Sequence, residues 1–349
     1  MDDRSPSRAQ RAALWPALAD ALAQGLPAFA WFEGAQARLV VGASTDLHVH
    51  VRTFTGTPGQ GPWAGWPVRP EAGPAPVVED AATWQARVAA AEAACQRGVM
   101  EKVVPARVVR HEAPPGLRYD PLATLEALLA GAGDGVVFLL AEPGRWFLGA
   151  SPEILVRVTG GHLSTHALAG TRRRPAEAGQ LVAAEQALLD SGKDRREHAA
   201  VVDDLREQLA GVCTHIEVGA RPHVRRLPTL LHLETPVQGT LRPGISVLDV
   251  VDRLHPTAAL GGRPRAAALA WLAATEPFDR GGFGAPIGYT TSENDGVFCV
   301  AIRSVLMTPT WALAFAGAGV VAGTDPAAEW AETEAKLQTA TSALRMVPA

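Results

Sequence analysis

Near the end of the chain, Glu329, Glu332 and Lys336 have the types and spacing to bind a cation together with a carboxylated ligand. Asp325 suits an N-cap and Pro326 a first helical position, so a helix is expected from there onward. Steps of three and four residues then put both carboxylates and the ammonium on one face. A small-residue strand, Phe315-Ala-Gly-Ala-Gly319, runs into this helix. Gly317 and Gly319 lack Cβ and leave room for a ligand against the strand backbone. Standing alone, such a segment is more often a surface helix laced with ion pairs, so residues elsewhere must decide.

Four of them do. Glu197 extends the stripe Val201, Leu205, Leu209 one step backwards, which places a carboxylate on the buried face of a helix. A buried carboxylate without a partner is too costly, so Glu197 must ion-pair with Lys or Arg or ligate a cation. Arg303 lies in Val297-Phe-Cys-Val-Ala-Ile-Arg-Ser-Val-Leu-Met307, a run apolar on both faces that reads as one central strand. It requires an anion, either a substrate carboxylate or an internal Glu. Lys102 interrupts the apolar strand from Glu101 to Val109; burial or nearby cations would lower its pKa and make it a base, the plainer alternative being a snorkelling side chain. Glu153 heads a strand after Gly149-Ala-Ser-Pro152, where an apolar pocket would keep its carboxyl protonated and able to act as an acid. His48 and His50 share a strand face, but no further ligand stands at a metal-binding spacing.

The elements that must position these groups are those of a well-buried globular chain. Of its 349 residues 47% are hydrophobic, with 34 Gly and 27 Pro, enough for a sizeable core. A net charge of -4, without a basic stripe or polybasic tract, argues against nucleic acid and membrane partners and for a small molecule. The opening Met-Asp-Asp-Arg lacks the order of a secretory signal and no apolar run reaches spanning length, so a cytoplasmic location is expected. Cys95, Cys213 and Cys299 sit in apolar patterns and read as buried thiols.

Residues 11 to 55 read as a helix followed by strands, and Gly56 to Pro76 as a covering loop. A helix is expected from Glu79 to Arg97, ended by Gly98, with Trp84, Val88, Ala91 and Cys95 on one stripe. Two antiparallel hairpins follow, Val136–Ala141 with Trp146–Ala150 and Ile154–Val158 with Leu163–Ala167. Helices are expected at about Lys193 to Cys213, Val247 to Leu254 and Pro264 to Thr275, then strands Val297–Met307 and Ala312–Ala316. This grouping indicates an α+β fold with antiparallel sheets.

Eight ordered blocks resemble the chorismate-utilising enzymes over about Glu79 to Leu344: Lys102-Val-Val-Pro-Ala-Arg107, Gly149-Ala-Ser-Pro-Glu153, Leu168-Ala-Gly-Thr-Arg172, Lys193-Asp-Arg-Arg-Glu-His198, His232-Leu-Glu-Thr-Pro236, His255-Pro-Thr-Ala-Ala-Leu-Gly-Gly262, Ala301-Ile-Arg303, and Gly317-Ala-Gly319 through Glu329 and Glu332 to Lys336. The resemblance implies two stacked antiparallel sheets ringed by helices. It also implies one chorismate-binding domain over 1–349, with a variable part to 78 and a catalytic core from 79. In that family Glu197, Glu329 and Glu332 would hold Mg2+ against the ring carboxylate of chorismate, and hard oxygen ligands suit that ion.

Two positions report the nucleophile. Anthranilate synthases usually have Gln where Lys102 stands, and lysine-nucleophile aminodeoxychorismate synthases have Lys at the position of Ala169. The pair here is similar to the water-using branch, isochorismate and salicylate synthases. Ala259-Leu260 followed by Gly-Gly resembles the isochorismate synthases, with salicylate synthase as the alternative. The resemblance implies Lys102 as base and Glu153 as acid, with Arg303 on the enolpyruvyl carboxylate and Gly170, Thr171, Gly317 and Gly319 fixing the substrate. His232 would lie beside the ring or serve structurally, and Lys336 would balance the acids. It further implies a monomer without a glutaminase subunit, working in menaquinone or siderophore biosynthesis. Two departures stand in Arg280–Gly288: Ala285 falls where Gly is usual and is expected to crowd the pocket, and Phe283 replaces a Tyr, removing one hydroxyl contact.

Overall fold

A computed structural model describes residues 8–34, 36–41, 48–51, 78–291 and 294–349. The loop read at 56–76 lies outside the described residues. So do the side chains of His48 and His50, whose backbone forms the strand His48–Val51.

Two large sheets carry the fold, and every strand pairing among the described residues is antiparallel. In the seven-stranded sheet the order in space is Gln36–Val41, Ala28–Glu33, Val136–Glu142, Arg145–Ser151, Ser304–Met307, Trp311–Gly317, Ala106–Glu112. The eight-stranded sheet runs Cys213–Val218, Leu230–Leu241, His162–Arg173, Ile154–Thr159, Gly296–Val300, Pro286–Thr290, His48–Val51, with His223–Arg226 also on Leu230–Leu241.

Alternation along the strand Val136–Glu142 shows how the layers are made. Val136, Phe138 and Leu140 point into a core shared with Val156, Val158, Leu163 and Phe298 of the other sheet. Val137, Leu139 and Ala141 point outward, onto Leu125 and Leu128 of the helix Pro121–Gly131 and Leu337 and Ala340 of the helix Pro326–Thr341. A strand buried on both faces shows a continuous apolar run, which is why its period is invisible in the sequence.

The two hairpins expected from the turn signals form, but they belong to different sheets. The chain leaves the seven-stranded sheet at Ser151 and joins the eight-stranded one at Ile154, then returns between Val300 and Ser304. Val297–Met307 is therefore two strands rather than one, and Arg303 sits at a corner rather than in mid-strand. Its φ of +52° turns the chain from one sheet to the other. Apolar residues continue on both sides of the corner because each strand remains covered on both faces. Lys102 shows a similar correction. Pro105 has no N–H to donate and interrupts the expected strand, leaving the short Lys102–Val103 paired with Gly262–Arg263 and a separate strand Ala106–Glu112.

Helix signals were more direct. Asp80 caps the helix Ala81–Gln96, and Gly98, at φ +72°, follows its end. Asp325 accepts from the Ala327 amide and Pro326 opens the last helix. The long helix is Gly192–Ala210, stopping before Cys213, which opens a strand. Cys95, Cys213 and Cys299 are buried free thiols. No helix among the described residues is long and apolar enough to cross a membrane.

Candidate active site

The acidic cluster forms where the N-terminal turns of two helices meet. Ser191 caps Gly192–Ala210 by accepting from the Asp194 amide at 3.2 Å, and this brings Lys193, Asp194 and Glu197 into the first turns. Glu197 is buried with Val201, Leu205 and Leu209. Its Oε1 lies 3.2 Å from Lys102 Nζ and its Oε2 3.1 Å from Lys193 Nζ. The same Lys193 ammonium is 2.8 Å from Glu329 Oε1 on the last helix and 3.8 Å from Asp194 Oδ1. Lys336 pairs with Glu332 and donates to the Gly317 carbonyl at 2.9 Å. Gly319 is pressed against Glu197, so a methyl group there would overlap the carboxylate oxygen.

Charge is shared unevenly among these groups. Burial alone would raise the Glu197 pKa, but Lys193, Lys102 and Lys336 hold it far below the usual carboxylate range. Glu329 moves the other way, to about 8, because burial and the neighbouring Glu332 and Glu197 outweigh Lys193. Against burial, the carboxylates of Glu197, Glu329 and Glu332 keep Lys193 firmly protonated. Lys102 is fully buried, which lowers its pKa despite the opposing charge of Glu197. Its Nζ is close enough to Glu197 for an ion pair but is not aligned for a hydrogen bond, which leaves its protons without acceptors.

Glu153 and Arg303 occupy the two neighbouring sheet crossings, tied together through the backbone. The Val300 amide donates to the Glu153 carbonyl at 3.0 Å, and the Ala150 amide to the Arg303 carbonyl at 3.2 Å. Ser151 Oγ accepts from the Glu153 amide at 3.2 Å and steadies the corner around Pro152. Burial raises the Glu153 carboxyl to about 7, with Lys102, Arg303 and Lys336 limiting the rise. A carboxyl in that range can still carry its proton near neutral pH. Burial pulls Arg303 down to about 10, which leaves it fully charged.

His232 lies between Arg303 and the strand His162–Arg173. Its Nδ1 is 3.1 Å from Thr171 Oγ1 and 3.2 Å from the Gly170 carbonyl, and its Nε2 is 3.3 Å from an Arg303 nitrogen. An arginine cannot accept, so Nε2 accepts from it and the proton is assigned to Nδ1. Burial, with Arg303 and Lys336 nearby, holds the ring neutral. Gly170 bulges the strand at φ +76°, and its carbonyl is taken up by His232.

These elements enclose a narrow cavity lined by Glu153, Ala169, Thr171, Glu197, His232, Ala259, Phe283, Arg303, Gly317, Gly319 and Lys336. Glu329 and Glu332 border a broader cleft of about 1040 Å³ that also touches Thr171 and Lys193. Lys102 and Gly170 back the wall without lining it. Phe283 stacks on Phe315, with centroids 5.5 Å apart. Ala285 is buried but lines neither cavity, so the crowding expected of it is not seen.

Sequence reasoning missed Lys193 and Asp194 as members of the cluster. Lys193 precedes Glu197 by four residues and Asp194 precedes it by three, the same helical spacings that drew attention to Glu329, Glu332 and Lys336. Arg280 was also missed as an anchor. It donates to the carbonyls of Val104 and Leu260 at 2.5 and 2.9 Å, and so fixes two residues of the cavity wall.

Among the described residues no three acidic, His or Cys side chains converge closely enough to hold a metal as they stand, and Lys193 lies between Glu197 and Glu329. The donor set nevertheless fits a hard divalent cation. Its donors are carboxylate oxygens, and Glu329 Oε2 is buried with no hydrogen-bond partner.

The sequence pattern described as chorismate binding enzyme matches residues 72–345, and the chain belongs to that family. It is 40% identical over 264 residues to the salicylate biosynthesis isochorismate synthase of Pseudomonas aeruginosa, covering 76% of this chain and 55% of that protein. It is 34% identical over 263 residues to isochorismate synthase MenF of Bacillus subtilis, covering 75% of this chain and 55% of the relative. The match thus spans about half the length of these relatives. The fold resembles that of MenF, the menaquinone-specific isochorismate synthase from Escherichia coli, with a TM-score of 0.77 at 24% identity over 91% of this chain and 89% of that one.

Proposed function

We propose that the chain is an isochorismate synthase, converting chorismate reversibly to isochorismate. The observation that carries this reading is the presence in one buried site of a lysine whose pKa burial lowers, Lys102, and a carboxyl raised to about 7, Glu153. A base shifted down and an acid shifted up are what a reaction needs when it removes a proton from water and delivers one to a departing hydroxyl. Lys102 takes the proton of a water that attacks C2 of the ring. Glu153 protonates the C4 hydroxyl as it leaves, and the ring double bonds shift, so no electrons are gained or lost overall.

The other groups bind and orient. Arg303 offers its guanidinium to the enolpyruvyl carboxylate, held in place by His232 behind it. Thr171 and the backbone at Gly317 and Gly319 border the ring, and Phe283 supplies an apolar wall. Glu197, Glu329 and Glu332 would hold magnesium, which supplies positive charge to neutralise the ring carboxylate. Lys102 in place of the glutamine of ammonia-using relatives supports water as nucleophile and a chain that works without a glutaminase. The names of the relatives support a role in menaquinone or siderophore synthesis.

Purified protein incubated with chorismate and Mg2+, without an ammonia source, should form isochorismate and approach the same equilibrium from either side. Stoichiometric pyruvate with salicylate would instead identify a salicylate synthase, and no turnover would refute both. Chelation of Mg2+ should abolish turnover and its return should restore it.

A further inference from the structure

Lys193 has no part in the chemistry proposed above, yet its ammonium stands at the centre of the acidic cluster. It lies 3.1 Å from Glu197 Oε2 and 2.8 Å from Glu329 Oε1, bridging two helices. The bridged carboxylates are almost completely enclosed, whereas the Lys193 side chain is 19% exposed and borders the broad cleft. Glu197 shares Lys193 with Glu329 and is also paired with Lys102, whereas Glu329 Oε2 is left with no hydrogen-bond partner. Glu329 is under-compensated as it stands.

A divalent cation bound to carboxylates of both helices would need oxygen ligands at about 2.0–2.6 Å, the space that the Lys193 ammonium fills. Two cations cannot share it. Lys193 has a way out: it is in the first turn of its helix, on a flexible four-carbon stem facing the cleft. We propose that Lys193 is the built-in counter-ion of the metal-free site, and that metal binding is an exchange in which its ammonium withdraws into the cleft. The inference rests on the magnesium reading of Glu197, Glu329 and Glu332.

The exchange has two consequences. Without metal, Lys193 ties the acidic side chains of the two helices together across their interface. With metal, breaking its two ion pairs weakens the observed affinity, as for any ligand whose competent state is a minor one.

The test titrates Mg2+ calorimetrically into the substrate-free full chain of the wild type, K193M and K193Q, and follows thermal melting with and without the ion. Both variants should bind Mg2+ at least about tenfold more tightly than wild type. Both should melt lower without metal and gain more from its addition. In K193A, methylammonium should raise the metal-free melting temperature and compete with Mg2+, which a merely structural lysine would not produce. Unchanged or weaker Mg2+ binding in foldable variants, or no competition by methylammonium in K193A, would overturn the exchange while leaving the metal site standing. A wild type that binds no divalent cation would overturn the magnesium reading itself.

Discussion

Replacing Glu153 by Gln should lower turnover by roughly 100- to 10,000-fold and, at alkaline pH, make the protein more stable. In the fold the carboxyl has a pKa of about 7, against 4.5 in the open chain, with burial as the main cause. The folded state therefore binds a proton that the unfolded state has already lost between those values, and stability falls as pH rises through that window. The contribution is fully present below 4.5 and is gone above about 7. At about 1.36 kcal/mol per pKa unit, the loss between pH 5 and pH 8 comes to about 2.5 kcal/mol. Gln is isosteric with the protonated acid and does not ionise, so E153Q escapes this loss. Urea denaturation of both proteins at pH 5 and pH 8 measures it directly. The stability of E153Q relative to wild type should rise by about 2 to 3 kcal/mol between the two pH values. A difference that stays constant would show that Glu153 is not held protonated, and would remove the basis for its role as the acid.

Other perturbations probe the remaining parts of the site. The rate with chorismate should decline as pH rises through about 7, because only the protonated form of Glu153 can donate, and a profile flat to pH 9 would contradict this. K102A should lower turnover by roughly 100- to 10,000-fold while small primary amines restore part of it; retained activity would exclude Lys102 as base. G319A should cost at least about 100-fold in kcat, since its methyl displaces the Glu197 carboxylate. An unchanged kcat in G319A would contradict the role given to Glu197.

Which of these features could be read from the sequence follows from how locally each is encoded. The helix carrying Glu329, Glu332 and Lys336 was legible because its cap, its first-turn proline and its spacing are all contained in a dozen residues. The same Asp-Pro signal at Asp120-Pro121 marks the helix Pro121–Gly131, yet it went unread beside strong strand patterns. The sheet crossings at Pro152–Glu153 and Ala301–Arg303 had no local signature of their own. Strands covered on both faces remain apolar as they pass from one sheet to the other, and the left-handed turn at Arg303 is made without glycine. Lys193 was legible as a helical neighbour of Glu197, but its second partner, Glu329, lies 136 positions away and is supplied by the fold alone.

The crossings also explain why acid and arginine stand where they do. A group can have its pKa raised by burial only if the surrounding packing is dense, and it can reach a substrate only if that packing is interrupted. Within a sheet these demands conflict, because every position faces either a filled core or a covered flank. At the seam between two sheets the ladder is broken on both sides at once, and the resulting gap is lined by residues whose backbones remain fixed. Glu153 and Arg303 meet both demands, since each is buried yet lines the cavity, and each is tied to the opposite crossing by a main-chain hydrogen bond. The acidic cluster solves the same problem with helix ends, whose first turns can present carboxylates to the gap without opening the core behind Val201 and Leu205. One position further on, Ile154 already packs against the core between the sheets, so the corner itself, as much as the residue, sets where the carboxyl stands.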